Sequence, residues 1–218
     1  MPTAATVAGS RLPSPDSDRD LVAQLLSGDE QAFADVVRRY HGPLLRFARI
    51  FVATPDVAEE VVQDGWLAVL TGLPAFEGRS SLKSWVFGIV ANKAKTRGAR
   101  ERRTIAFADL TTNDEDGTAV DGDRFLRDGG WRQPPARWDG NTPEAQLLRR
   151  EAVSIVERVL ADLPPAQRAV VTLRDVEDLD AAETCNMLGI TETNQRVLLH
   201  RGRSKIRAAL EDSAAKGR

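Results

Sequence analysis

The spacing of the apolar residues is the feature that most constrains the fold of this chain, because it follows the helical repeat in two separate blocks. The clearest stripe, at spacing i, i+3, i+4, i+7 and i+8, consists of Leu82, Trp85, Val86, Ile89 and Val90. Residues at this spacing share one face of a helix, and an apolar face of this kind packs against a core. Neither block contains a Val- and Ile-rich alternating run of the kind that indicates a strand. The sequence therefore predicts an all-α fold.

The two helical blocks are separated by residues 104–141, in which the periodicity is lost. Acidic residues outnumber arginines there, glycines recur and Pro134 precedes Pro135, a composition typical of a flexible interdomain linker. Trp131 and Trp138 are unusual in a linker, and they fit either local tethering to one domain or docking on a partner. The predicted organisation is a disordered tail at 1–18, a first small helical domain at 19–103, the linker at 104–141, a second small helical domain at 142–211 and a C-terminal tail at 212–218.

Proline positions predict several helix boundaries. Thr54 and Thr142 are each followed by a proline, which combines a capping side chain with proline at the first helical position. Pro43 is expected to interrupt or restart a helix of the first domain, because proline lacks a backbone donor. The pair Pro164 and Pro165 predicts a bend in the second domain.

Charge and composition exclude several functions. With 30 basic and 32 acidic residues the net charge is −2, so a uniformly basic nucleic-acid coat is excluded, although a local basic patch is not. Cys185 is the only cysteine, which rules out an intramolecular disulfide and is best interpreted as core packing. His41 and His200 are the only histidines, and we find no P-loop, metal-ligand cluster or nucleophile beside a base. No catalytic residue, metal or cofactor is therefore expected.

Hydropathy favours a location inside the cell. Residues 1–20 contain no apolar stretch of signal-peptide length and hydrophobicity. No run approaches the ~18 apolar residues of a membrane span. We expect a cytoplasmic protein without membrane insertion.

Positive charge is concentrated in "GITETNQRVLLHRGRSKIRAAL", residues 189–210. A short helix rich in small residues, a glycine turn and then a polar, basic helix capped by Thr191 form the helix-turn-helix pattern. The second helix of such a unit enters the major groove of DNA, where Arg, Asn and Gln can read base edges. The alternative is a solvated basic helix face, and His200 fits either a phosphate neighbour or an exposed polar residue. The side chains expected largely on the outer face are Asn194, Gln195, Arg196, His200, Arg201, Arg203 and Lys205.

Two further surfaces lie in the first domain. A basic cluster follows Trp85, and Phe76 lies before it, so these rings could stack on unpaired bases or could belong to the core. The cluster consists of Lys93, Lys95, Arg97, Arg100, Arg102 and Arg103. Just before it, "AEEVVQDGWLAVL" forms an acidic helix, which suits a protein partner with basic helices or a plain solvated face.

The segment "AEEVVQDGWLAVLTGLPAFEGRSSLKSWVFGIVANKAKTRGARERR" resembles region 2 of the sigma-70 family of transcription initiation factors. The segment "LPPAQRAVVTLRDVEDLDAAETCNMLGITETNQRVLLHRGRSKIRAAL" resembles their region 4. Nothing between them is long enough for a region 3 domain, an arrangement similar to that of the extracytoplasmic function (ECF) sigma factors. The resemblance implies an initiation factor that binds bacterial core RNA polymerase and two promoter elements. It also implies regulation by an anti-sigma factor.

The same resemblance implies three sets of site residues and assigns the polymerase partner surfaces to the β′ clamp helices and the β flap. The set on the clamp helices is Glu60, Gln63, Asp64 and Trp66. The set on the −10 element, whose bases would be captured from the non-template strand, is Phe76, Arg79, Ser80, Lys83, Trp85, Asn92, Lys93, Lys95 and Arg97. The set on the −35 element is Thr191, Glu192, Asn194, Gln195, Arg196, His200, Arg201, Arg203 and Lys205.

The chain departs from the family pattern at two places. Gly98 lies where the basic helix should continue, so that helix is expected to end early. The acidic linker could mimic nucleic acid near the polymerase active-site channel. Other functions considered are an autonomous two-domain repressor or activator, a nucleic-acid enzyme and a helical adaptor. A nucleic-acid enzyme is disfavoured because the sequence contains no recognisable catalytic site. A helical adaptor is disfavoured because it would leave both basic clusters unexplained.

Overall fold

The computed structural model describes residues 15–101 and 143–216, and every regular element in these two ranges is helical. The first domain contains α1 (Pro15–Leu26), α2 (Glu30–Ala48), α3 (Pro55–Gly72), a 3-10 turn (Leu73–Ala75) and α4 (Leu82–Arg100). The second contains α5 (Pro143–Asp162), α6 (Pro165–Val171), a π-helical turn (Thr172–Val176), α7 (Ala181–Leu188) and α8 (Glu192–Lys216). The all-α prediction is confirmed for the described ranges. The predicted linker, its two tryptophans and the Thr142 cap lie outside them.

The helix start predicted at Thr54 agrees with the structure. Thr54 Oγ1 accepts a hydrogen bond from the Val57 N–H at 3.3 Å, and Pro55 opens α3. Ser81 caps α4 in the same way, accepting from the Ser84 N–H at 3.1 Å. Each cap satisfies one of the donors that a helix leaves unpaired at its start.

The predicted interruption at Pro43 is wrong, because α2 continues through it to Ala48. An internal proline costs a helix about 3 kcal/mol. Leu44, Phe47 and Ala48, which follow it, are 0% exposed, and their burial offsets that cost.

The predicted early end at Gly98 is also wrong, because α4 continues to Arg100. Gly98 is buried, and the last turn is held from outside the helix by Glu101. The carboxylate of Glu101 accepts from the Ala53 N–H at 3.1 Å and from Arg97 Nε at 3.1 Å.

The first domain is built around α2, α3 and α4, whose apolar faces meet at Phe47 and Phe87, ring centroids 6.0 Å apart. The α3 and α4 backbones approach closely at Gly65. A Cβ atom at this position would lie 2.6 Å from Val90 Cγ2. Glycine is therefore required here for packing rather than for backbone freedom.

The second domain forms a helix-turn-helix unit from α7 and α8. Asp180 and Glu183 form a capping box at the start of α7, and Gly189 ends it in the left-handed conformation with φ 71°. α8 packs against α5, α6 and α7. It extends to Lys216, which includes part of the predicted C-terminal tail.

The two domains are in contact, because α4 of the first packs against α7 of the second. The buried apolar residues of both belong to one continuous cluster. The sequence did not predict this contact.

Candidate nucleic-acid interface

The acidic face of α3 is formed by three exposed side chains, Glu60, Gln63 and Asp64. They lie on the opposite side of the helix from the buried residues Val61 and Val62, since successive helical positions rotate by about 100°. The structure therefore leaves this face open to solvent.

Trp66 does not belong to this exposed face. It is 8% exposed, and its ring packs edge-on against Phe33 at a centroid distance of 6.0 Å. Its Nε1–H donates to His41 Nδ1 at 3.3 Å, and His41 Nε2 lies 3.5 Å from Glu59. The expectation of a surface tryptophan is thus corrected: the spacing that placed it beside the acidic residues points its ring into the core.

One ion-pair network connects the acidic face with the basic helix α4. Arg97 Nη2 lies 3.2 Å from Glu60 Oε2, and Arg97 Nε lies 3.1 Å from Glu101 Oε1. A residue expected to contact polymerase and one expected to contact DNA are therefore bound to each other.

Two aromatic rings lie side by side at the start of α4, one from the segment before the helix and one from the helix itself. Phe76 and Trp85 have ring centroids 4.9 Å apart, and both are partly exposed. Arg79 and Ser80 lie exposed in the connection between them, with Arg79 paired to Glu77. The two rings therefore lie at the edge of the core and are partly accessible to solvent.

Farther along α4, Asn92 is exposed and Lys93 is partly buried. Lys83 and Lys95 face the second domain instead. Lys83 Nζ lies 3.0 Å from Glu177 Oε2, and Lys95 Nζ donates to the Met187 carbonyl at 2.7 Å. Burial at this contact lowers the pKa of Lys95.

The first turn of α8 has Thr191 as its cap, since Thr191 Oγ1 accepts from the Asn194 N–H at 3.2 Å. Thr191, Glu192 and Arg196 are exposed, and Arg196 pairs with Glu192 at 3.3 Å. These residues occupy the N-terminal end of the helix, where a recognition helix presents side chains to base edges.

Asn194 and Gln195 were expected on the outer face, and this is wrong. They are 3% and 2% exposed. Each lies four residues before a buried leucine, Leu198 or Leu199, which places it on the same inward face. Helical position therefore outweighs side-chain polarity at these two residues.

The later residues of the recognition helix are half-buried. Arg203 forms a bidentate salt bridge with Asp175, with nitrogen-to-oxygen distances of 2.9 and 2.6 Å. Burial, with a smaller contribution from the Arg201 charge, lowers the pKa of His200. His200 is therefore less suited to offer positive charge to a phosphate. Arg201 and Lys205 are also half-buried.

Four residues that the sequence analysis missed lie at the contact between the domains: Arg46, Ser84, Glu177 and Glu183. Glu177 is 4% exposed although it carries a carboxylate. The only signal available was the acidic stretch "RDVEDLDAAE", which gives no indication of what it touches.

Within the described ranges, none of the helices is both long and apolar enough to cross a membrane. The fold and the site together define a two-domain helical protein of the helix-turn-helix class.

Comparisons with known proteins identify the family within this class. Residues 36–104 match the family model "Sigma-70 region 2", and residues 154–206 match "Sigma-70, region 4". The chain belongs to the sigma-70 family of RNA polymerase sigma factors, in its ECF group.

Relatives of this group align over most of the chain. It is 30% identical to the ECF RNA polymerase sigma factor SigM of Mycobacterium tuberculosis over 191 residues, 87% of this chain and 83% of that protein. It is 27% identical to the RNA polymerase sigma-H factor of Pseudomonas aeruginosa, over 90% of this chain and 95% of that protein.

Two solved structures share the fold. The sigma factor RpoE in complex with the anti-sigma factor NepR from Bartonella quintana has a TM-score of 0.51 and 18% identity, covering 82% of this chain and 96% of that one. CnrH in complex with the cytosolic domain of CnrY has a TM-score of 0.50 and 22% identity, covering 89% of this chain and 97% of that one.

Proposed function

We propose that this sigma factor binds bacterial core RNA polymerase through α3 and places α4 and α8 on two promoter elements to start transcription. The observation that carries the proposal is the separation of surfaces by charge. An exposed acidic face on α3 and a recognition helix α8 that carries Arg196, Arg201, Arg203 and Lys205 lie in different domains. One surface suits a basic protein partner, and the other suits DNA.

Polymerase docking is assigned to Glu60, Gln63 and Asp64. Their exposure allows direct contact with the clamp helices of the β′ subunit, whereas Trp66 supports the face from below. The second domain would contact the β flap. Acidic side chains complementary to a basic partner speed association and select the correct partner.

Capture of the −10 element is assigned to the start of α4. The partly exposed pair of Phe76 and Trp85 offers a surface on which an unpaired base can stack, with Arg79 and Ser80 beside it. Asn92, Lys93 and Lys95 would follow the strand along the helix. Stacking favours the open strand over the duplex, so promoter opening is driven by binding energy without nucleotide hydrolysis by the factor. We therefore class the protein as an initiation factor rather than an enzyme.

Recognition of the −35 element is assigned to the exposed end of α8. We assign the base-edge contacts to Thr191, Glu192 and Arg196, which are exposed, and further DNA contacts to Arg201 and Lys205, which follow along the same helix. Arg196 can form paired hydrogen bonds with guanine, a contact worth about 1–3 kcal/mol. Asn194 and Gln195 are assigned a packing role instead.

Regulation by an anti-sigma factor is part of the proposal. Two structures with this fold are complexes, one with the anti-sigma factor NepR and one with the cytosolic domain of CnrY. A protein of that class could cover the acidic α3 face or the DNA-contacting surfaces. The site of action would be the cytoplasm, where core polymerase transcribes the chromosome.

Reconstitution tests this function. The purified chain is mixed with bacterial core RNA polymerase, complex formation is measured, and run-off transcription is performed on genomic DNA. We expect discrete transcripts that share two upstream motifs. Asp64→Arg should reduce polymerase affinity, and Asp20→Arg, the same charge change on exposed α1, should not.

Two arginine-to-alanine variants test the DNA-binding surface of α8. Arg196→Ala should weaken promoter binding by about 1–3 kcal/mol, whereas Arg158→Ala on the exposed side of α5 should leave it unchanged. Failure to bind core polymerase, combined with tight binding of duplex DNA by the chain alone, would indicate an autonomous regulator.

A further inference from the structure

A carboxylate from the second domain is buried against cationic side chains of the first. Glu177, in the loop before α7, is 4% exposed. Its Oε2 lies 3.0 Å from Lys83 Nζ, and its Oε1 lies 4.0 Å from an Arg46 nitrogen. Lys83 Nζ also donates to the Glu177 main-chain carbonyl. Burying a carboxylate is costly unless such partners are present, so this contact depends on both sides.

Neighbouring contacts extend the same pattern along α4. Ser84, which is 6% exposed, donates from Oγ to Glu183 Oε1. Three turns later, Lys95 donates to the Met187 carbonyl near the C-terminal end of α7, where helix carbonyls lack partners within the helix. Each donor belongs to the first domain, and each acceptor is an oxygen of the second.

The donor set at Arg46, Lys83 and Ser84 has the chemistry of a phosphate site. Two cations contact the Glu177 carboxylate, and the neighbouring Ser84 hydroxyl donates to the Glu183 carboxylate. Cations and hydroxyls are the usual partners of DNA backbone phosphates. Lys83 lies in the segment proposed to hold the −10 strand, whereas Arg46 lies on α2, outside every predicted set.

We propose that Arg46, Lys83 and Ser84 bind a backbone phosphate of the promoter strand, and that Glu177 and Glu183 occupy this site as internal substitutes when the two domains are in contact. This inference rests on the proposed role of α4 in holding the −10 strand. The closed chain cannot hold DNA at this site, because the carboxylates and the phosphate compete for the same donors. The domains must separate first.

The closed arrangement leaves the acidic face of α3 accessible. Glu60, Gln63 and Asp64 are exposed while Lys83 and Ser84 are covered. Polymerase can therefore dock before the domains separate, and DNA binding follows. The apparent DNA affinity of the free factor is reduced by the fraction of molecules that are closed.

The test uses the full chain without polymerase and a fluorescent, mixed-sequence single-stranded DNA of about 20 nucleotides. Glu177→Gln should raise the affinity at least about threefold, because the open fraction increases. The matched control is Glu157→Gln, an equal charge change on the exposed side of α5, which should leave the affinity near that of wild type. Equal affinities for both variants would overturn the proposal.

A second pair examines the phosphate site itself. In the Glu177→Gln background, Arg46→Gln should lower the affinity by about threefold or more, the loss expected for one charge-assisted contact. Arg49→Gln, at an exposed arginine three positions later in the sequence, is the control. Equal losses for both arginine variants would overturn the assignment of Arg46.

A final measurement needs no variant. Neutron scattering, with the DNA contrast-matched, should record a larger radius of gyration for the wild-type chain when the oligonucleotide is bound. If DNA binds without an increase in the radius of gyration, the proposal that carboxylates and phosphate compete for the same donors is overturned. Transcription with core polymerase tests the proposed function separately, because a factor can start transcription whether or not this contact closes it.

Discussion

Lys83 and Glu177 form an ion pair across the two domains, with Nζ and Oε2 3.0 Å apart and with 18% and 6% of their side chains exposed. They are separated by 94 positions in the sequence. Lys83 belongs to the basic helix α4, and Glu177 precedes the helix-turn-helix unit. Such a pair favours this arrangement of the two domains, because a buried carboxylate is costly once its cationic partner is removed.

Reversing the charge of Lys83 should separate the two domains. Exchanging the charges of Lys83 and Glu177 should bring the domains back into contact. Removing one partner of a buried pair typically costs about 3–5 kcal/mol. We expect Lys83→Glu to increase the radius of gyration in X-ray scattering and the double variant Lys83→Glu, Glu177→Lys to reverse most of the increase. Arg38→Glu, which disrupts an exposed pair on α2, is the control and should leave the radius unchanged.

Trp66 should prove to be a packing residue rather than a docking residue. Trp66→Phe removes the hydrogen bond to His41 and reduces the filled volume, so it should lower the free energy of unfolding by about 1–2 kcal/mol. Polymerase affinity should remain close to wild type when measured at a temperature where the variant is folded. A loss of affinity as large as that of Asp64→Arg would place Trp66 in the interface.

Gly65 should be intolerant of even one added methyl group. An alanine Cβ would lie 2.6 Å from Val90 Cγ2, and valine has little rotational freedom to withdraw. We expect Gly65→Ala to lower the free energy of unfolding by about 1–3 kcal/mol in urea titration. Gly88→Ala is the matched control in α4, since a Cβ there meets no atom within 4 Å. It should be neutral or stabilising by up to about 1 kcal/mol, and the reverse ranking would contradict the packing argument.

His200 should make the stability of the fold decrease in acid. Its folded pKa is lowered, mainly by burial and also by Arg201, so the unfolded chain takes up a proton at higher pH than the folded chain. Its contribution is complete above the unfolded pKa of about 6.5 and is lost as the pH falls through the folded pKa. The difference in unfolding free energy between wild type and His200→Gln should therefore shrink as the pH decreases from 7 towards ~5. If this difference stays constant over the range, the loss of stability in acid does not arise from His200.

The individual helices could be predicted with good accuracy from local signals. The stripe containing Leu82, Val86 and Val90 predicted the buried face of α4, and all three residues are 0–1% exposed. Threonine followed by proline predicted the start of α3. These features depend on hydrogen bonds and side-chain positions within a few residues, so the sequence contains them directly.

Predictions based on residue type alone were less reliable. Pro43 and Gly98 do not end their helices. Burial of Leu44, Phe47 and Ala48 offsets the cost of Pro43, about 3 kcal/mol, and contacts of Glu101 hold the last turn of α4 after Gly98. Asn194 and Gln195 were placed outside because they are polar, yet the face they share with Leu198 and Leu199 is buried.

The sequence by itself determined the all-helical architecture, the helix-turn-helix unit and the separation of acidic from basic helices, because these follow from periodicity, capping and charge along one segment. Only the tertiary structure decided that Trp66 faces inward and that Glu177 meets Lys83 and Arg46. These contacts depend on how helices distant in sequence pack together. No local pattern specifies that packing, because it is chosen by the burial and charge pairing of the whole chain.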